Sequence, residues 1–420
     1  MKAFNDPAFV LEQTTLVDSF LEFVKIDTQS DGDSKSNPST AKQIDLLKIL
    51  KDKLIQLGCS GVVLDDKGYL YATFLGNRAG TPVIGLMAHV DTAVDFSGTN
   101  VKPILQKNYK GGPIDLPNDV TISPEDNPEL NQCIGDTVIT ASGDTLLGAD
   151  DKAGVAAILA ALEILKKDDS IPRPTLRIAF TPDEEIGQGA TFFDVTGFDA
   201  KCAYTVDGGY TGEVNFETFS ADKAVVTFTG VAVHPGFAKG KMVNALRYLG
   251  AFLDRLPKAE SPEETELRLG FFHPTVVKGN AAEASVEIIL RDFDDNKLAD
   301  RGNRLKVLVQ KIASKEPRLK SNVEIVAQYR NMANALKEQP QVRDFLVQAV
   351  RDAGLTPDIV AIRGGTDGSG LTAKGLPTPN IFTGGRNYHG PREWISTRTM
   401  AFAVCAILNL VQRWAESGAK

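Results

Sequence analysis

The stretch "TPVIGLMAHVD" (81–91) constrains the fold more than any other part of the chain. Its apolar run is too continuous for a strand with one face in water, so it belongs in the interior of a sheet covered on both sides. "TLRIAF" (175–180) and "CAYTVDGG" (202–209) repeat the pattern, and the Ala- and Leu-rich "AGVAAILAALEILKKDD" (153–169) reads as a helix with lysines near its end. Helical spacing also marks "TTLVDSFLEFVKI" and "TAKQIDLLKILKDKLIQLG", the latter stopping at Gly58. Strands alternating with helices predict an α/β fold: a mixed, largely parallel sheet flanked by helices.

At 420 residues the chain exceeds one ordinary core, and its texture changes near residue 220. "KAVVTFTGVAV" and "EASVEIILRDF" alternate as half-exposed strands do, and "MVNALRYLGAFLDRL" and "LADRGNRLKVLVQKIASK" have helical spacing. With "NVEIVAQYR" they give a β-α-β-β-α-β-like order, a small α+β domain with helices on one face. The expected organisation is a catalytic domain in two parts, 1–218 and 333–420, split by an inserted domain at 219–332. "DTVITASGDTLLGADD" is expected to form two short strands about a turn, and 96–140 to be a long, loop-rich excursion.

A formal net charge of −8, with no Lys/Arg cluster interleaved with aromatics, argues against a nucleic-acid partner and for a small molecule. The opening "MKAFNDPAFVLEQ" carries no apolar targeting core, and the late apolar segment "TMAFAVCAILNLVQRW" is too short to span a bilayer. No membrane partner is expected. Four scattered cysteines form no CxxC pair, which fits a cytoplasmic protein.

Chemistry concentrates where the apolar strands end. His89 and Asp91 are two residues apart and share a strand face, at the edge where open α/β sheets bind ligands. Asp91 is placed to accept the second ring N–H of a ligating His89. "LLGADDKAG" brings Asp150 and Asp151 to a strand–helix junction, although a helix cap is an equally ordinary reading of such a pair. "TPDEEIGQGA" presents Asp183, Glu184 and Glu185, in isolation a solvated turn; in "TVDGG" Asp207 ends another apolar strand, and "NYHGPREW" places His389 in a loop. His, Asp and Glu in this mixture suit two zinc ions sharing a bridging carboxylate. The paired glutamates then divide two tasks, one holding metal and its neighbour taking a proton.

In order and spacing, "HVD", "GADDKAG", "DEEIG", "VDGG" and "YHGPRE" resemble the dinuclear-zinc M20 metallopeptidase family, and the resemblance extends along essentially the whole chain. It implies two Zn²⁺ per subunit, bridged by Asp150 and a water or hydroxide. His89 and Asp207 would hold one ion, and Glu185 and His389 the other. Glu184 would be the general base, and Asp91 the residue that orients His89. The resemblance also implies a cis Asp150–Asp151 peptide, His234 as an oxyanion stabiliser and Arg363, in "IRGGTDGSG", as the grip on a peptide's terminal carboxylate. His273 matches no motif and is read as structural. The implied activity is removal of the N-terminal residue from a short peptide substrate, a tripeptide, by a cytoplasmic homodimer whose smaller domain serves as lid and dimerisation element. The alternative is a dipeptidase or N-acyl amino acid deacylase with the same metals.

Overall fold

The computed structural model describes residues 3–418. The chain forms two compact units, one of Met1–Phe216, Asn334–Val360 and Thr366–Lys420, the other of Glu217–Ala333 and Ala361–Gly365. The short stretch 361–365, which the sequence reading groups with 333–420, thus clusters with the second unit.

The first unit is built on an eight-stranded sheet whose four central strands run parallel: Leu176–Thr181, Ile84–His89, Cys202–Gly208 and Asn380–Phe382. Every residue of Ile84–His89 is buried, as its apolar run predicts. Register then fixes the site. His89 pairs with Thr181, and Met87 with Thr205, so two further residues bring His89 level with Asp207. The carboxyl ends of the parallel strands therefore converge on one edge.

Helix Ala149–Lys167 packs against the strands Ile84–His89 and Cys202–Gly208, and helix Thr397–Ser417 packs against it. Both helices are buried along most of their length, and burial rather than helix propensity holds them. Contact with the sheet is tightest at Gly154: an added Cβ would lie 1.8 Å from the Val206 carbonyl oxygen and 2.4 Å from Asp151 Oδ1. The helix start can approach the strand that carries Asp207 only because residue 154 has no side chain. Among the described residues no helix is long and apolar enough to cross a membrane.

The segment 96–140 differs from the loop-rich expectation. It forms a hairpin of Ile114–Leu116 with Val120–Ile122, and strands Ile104–Gln106 and Val138–Thr140 of a second sheet. The same sheet takes in Trp394–Ser396 and Gly385–Arg386 from near the chain end. Tyr109, Ile114, Leu130, Cys133 and Trp394 close a small core beneath it. Only one of the two strands expected in 136–151 forms: after Thr140 the chain runs irregularly to Gly148.

In the second unit the four-stranded antiparallel sheet has the order Phe271–Gly279, Glu283–Asp292, Ser220–Thr229, Lys320–Tyr329. Helices Ala245–Leu253 and Asp295–Ala313 supply Leu249, Phe252, Leu298, Leu305 and Val309 to its core. The order β-α-β-β-α-β is the predicted one, and the fold is mixed α/β as the strand pattern implies.

Substitution of two helical glycines tests the packing argument. Gly154→Ala is expected to destabilise by at least about 1–3 kcal/mol through overpacking. Gly250→Ala, whose Cβ would meet nothing within 4 Å, should instead stabilise by about 0.5–1 kcal/mol. Thermal melts of the two variants should shift in opposite directions.

Candidate metal centre

Each predicted ligand arrives from a different strand end or loop of the first unit. His89 closes its strand, and Asp150 opens the long helix with non-helical backbone (φ −83°, ψ 106°) and a cis bond to Asp151. Glu184 and Glu185 form a short 3₁₀ turn after strand Leu176–Thr181, while Asp207 lies one residue from the end of its strand. His389 stands in the loop joining Gly385–Arg386 to Trp394–Ser396. Because Trp394–Ser396 pairs with Val138–Thr140, the second sheet brings the His389 loop beside the segment leading to Asp150.

The side chains meet in two groups, His89–Asp150–Asp207 and Asp150–Glu185–His389, the donor atoms of each lying within 4.8 Å of one another. Asp150 belongs to both. Its Oδ1 is 2.9 Å from His89 Nε2, and its Oδ2 is 3.3 Å from His389 Nε2. Asp207 Oδ1 lies 3.5 Å from His89 Nε2, and Glu185 Oε2 lies 3.0 Å from His389 Nε2. Both imidazoles thus turn Nε2 inward. Their Nδ1 atoms face other carboxylates, Asp91 for His89 at 3.3 Å and Asp95 for His389 at 3.5 Å.

Asp91 does more than face His89. It is fully buried, and its carboxylate accepts the backbone N–H of Glu184 at 3.0 Å and of Glu185 at 3.1 Å. The Asp91 backbone carbonyl is closer still to His89 Nδ1, at 3.1 Å, so this residue meets both the imidazole and the turn that carries the two glutamates.

The third carboxylate of the triplet has a different task. Asp183, buried at φ 60°, accepts from the Ser39 N–H at 2.7 Å, from Ser39 Oγ at 2.5 Å and from Gln43 Nε2 at 2.6 Å. Its own N–H donates to Gln43 Oε1 at 3.1 Å. Nothing in the local sequence announces these partners, which lie some 140 residues earlier.

The electrostatics show a site with too much negative charge for its own donors. Burial and the neighbouring Asp150 carboxylate push Glu185 up to about 8, although His389 opposes them. Burial pushes Asp207 up to about 6 despite its contact with His89. Burial and the carboxylates of Asp207, Asp367 and Glu185 raise Glu184 well above the usual range, against the pull of His89. The Asp150 and Glu185 carboxylates raise His389 to about 11. Glu185 Oε1 is buried without a hydrogen-bond partner among the described residues. Oxygen and imidazole donors converging with an orphaned carboxylate oxygen fit divalent cations, Asp150 being placed to serve two.

Residues 145–413 match the model of peptidase family M20/M25/M40. The chain belongs to this family. As a member of the M20 group it is a peptidase and acts on peptide bonds. A relative named peptidase T from Exiguobacterium sp. is 46% identical over 407 residues, 96% of this chain and 99% of the relative. The aminopeptidase PepT from Bacillus cereus shares the fold, with a TM-score of 0.74 at 22% identity over 96% of this chain and 98% of that one. A Bacillus subtilis protein described as a dinuclear metal binding peptidase of the M20 family superposes with a TM-score of 0.65 at 14% identity, covering 97% of this chain and 98% of that one.

The remaining predicted site residues, His234 and Arg363, lie in the second unit. His234 is exposed at the N-cap of the short 3₁₀ turn Pro235–Phe237, and its Nδ1 accepts the Gly236 N–H at 3.1 Å. Arg363 donates through Nη1 to the carbonyls of Leu267 (2.9 Å) and Leu269 (2.7 Å), and through Nη2 to the carbonyl and hydroxyl of Thr265 (3.1 and 3.0 Å). Phe219 and Phe271 lie against its guanidinium face. His273 sits in strand Phe271–Gly279 beside the Phe271 ring.

Removing the Asp183 carboxylate tests its place behind the glutamate turn. Asp183→Ala is expected to lose about 1–3 kcal/mol, because the Ser39 N–H and the Gln43 amide are left without their buried acceptor. Peptidase activity should fall with it, although Asp183 is in neither ligand group. Thermal melting and peptide hydrolysis measured on the same preparation check both.

Proposed function

We propose that the protein is a zinc-dependent aminotripeptidase that removes the N-terminal residue from tripeptides. The observation carrying this reading is the pair of ligand groups sharing Asp150, with Glu184 adjacent and in neither group. His89, Asp150 and Asp207 would hold one ion, and Asp150, Glu185 and His389 the other. Two zinc ions held there would polarise the scissile carbonyl and acidify the attacking water.

The chain's own residues account for the proton and the charge. Glu184 takes the proton from the attacking water and delivers it to the leaving amine. Asp91 keeps the carboxylate in place through the backbone N–H of Glu184. In the second unit, His234 stabilises the developing oxyanion. Because its Nδ1 accepts from Gly236, the neutral ring carries its proton on Nε2, leaving a donor for that role. Arg363 grips the substrate's terminal carboxylate by exchanging the Leu267 and Leu269 carbonyls for carboxylate oxygens.

The tripeptide assignment draws on the full-length similarity to peptidase T. A cytoplasmic site of action suits four unpaired cysteines. A homodimer formed through the second unit is supported by the exposed Val276 and Val277 on its edge strand Phe271–Gly279.

Glu184→Gln is expected to keep both metal ions and lose about 10²–10⁴-fold in kcat. Metal analysis and steady-state kinetics check this, and loss of metal would make Glu184 a ligand instead. His234→Ala should lower kcat by about 10²–10³-fold with metal content unchanged, and an unaltered kcat would remove it from the mechanism. Substrate class is decided by zinc-dependent hydrolysis of one tripeptide and its N-acetylated form. Cleavage of the free peptide alone is expected; preference for the acetylated form would make the protein a deacylase.

A further inference from the structure

Glu393 lies outside both ligand groups, and no peptide or ion needs to touch it. Its side chain is 1% exposed. Oε2 accepts the backbone N–H of Leu147 at 2.7 Å and of Gly148 at 2.8 Å, and Oε1 accepts the N–H of Asp150 at 3.1 Å. These are amides of the segment that turns through Gly148 (φ 79°) to present the Asp150 carboxylate. Glu393 is also four residues beyond His389, and its own N–H closes the intervening loop onto the Gly390 carbonyl at 3.2 Å. The next residue, Trp394, pairs with Thr140 in the second sheet.

We propose that Glu393 is a positioning residue: its carboxylate locks the Asp150 turn to the His389 loop and thereby sets the spacing of two ligands of the same ion. The proposal rests on the reading that the two groups hold cations. The chemistry of the contact explains why a carboxylate stands here. Both oxygens must accept, and an amide offers only one acceptor. In Glu393→Gln the oxygen can serve Leu147 and Gly148, but an NH₂ group then faces the Asp150 N–H, donor against donor. Aspartate keeps the charge but is one methylene shorter, so it cannot hold the same amides from the same backbone position.

The test is a zinc titration of the metal-free protein against a chromophoric chelator, followed for wild type, Glu393→Gln and Glu393→Asp. Near-UV circular dichroism of each metal-free protein is recorded alongside. The expected result is native dichroism in both variants with zinc bound about 10–100-fold more weakly than by wild type, the usual effect of removing an outer partner of a ligand. A folded Glu393→Gln protein with affinity within about threefold of wild type would overturn the proposal. Wild-type affinity in Glu393→Asp would overturn it in favour of a role for charge alone. Loss of native dichroism in the metal-free variants would overturn it too, making Glu393 a folding residue. Wild-type protein that takes up no zinc would instead remove the metal reading on which the proposal rests, and the wild-type titration shows this before any variant is compared.

Discussion

Holding many carboxylates at one sheet edge without mutual repulsion is the constraint on which the rest of this structure depends. The fold meets it by sorting them. An outer set is answered by backbone amides: Asp91 by Glu184 and Glu185, Asp151 by His89 and Gly154, Asp183 by Ser39, Glu393 by Leu147, Gly148 and Asp150. These groups are buried and satisfied, and they tie loops together. An inner set of Asp150, Glu184, Glu185 and Asp207 is left to face the two imidazoles and one another. Burial raises the proton affinities of Glu184, Glu185 and Asp207, and the neighbouring carboxylates add to the rise, two histidines being insufficient countercharge for four carboxylates.

Much of this arrangement was legible because apolar runs mark buried parallel strands, and the residue that ends such a run lies at the ligand-binding edge. His89 and Asp207 could be placed that way, and the α/β class followed from the same runs. The outer set was not legible. Asp183 looks like part of an acidic surface turn until Ser39 and Gln43 are seen beside it, and no periodicity links positions 140 residues apart. Glu393 stands in plain view in "YHGPREW", but its partners are backbone amides, which leave no trace in a sequence. The short strands within 96–140 were not legible for a related reason. They are only three residues long, below the length at which alternation is distinguishable from irregular chain.

In the second unit Arg363 has partners that the sequence did not announce. The Arg363 guanidinium is engaged by three backbone carbonyls and a hydroxyl of 265–269, where Leu267 has φ 50°. That engagement orders an otherwise irregular loop. In the role proposed for Arg363, a substrate carboxylate would compete with the loop for the same N–H groups, which would couple its binding to the conformation of 265–269.

The pairing of Trp394–Ser396 with Val138–Thr140 has a consequence for how the protein matures. One of the two ligand groups includes His389, which is made long after Asp150 and Glu185, and the strand that seats it, Trp394–Ser396, follows later still. Until then the group that contains Asp150 and Glu185 remains incomplete. If the group holds an ion as proposed, a fragment ending before His389 would lack one of its donors, and the centre would serve as a molecular seal on a chain that has reached its second sheet.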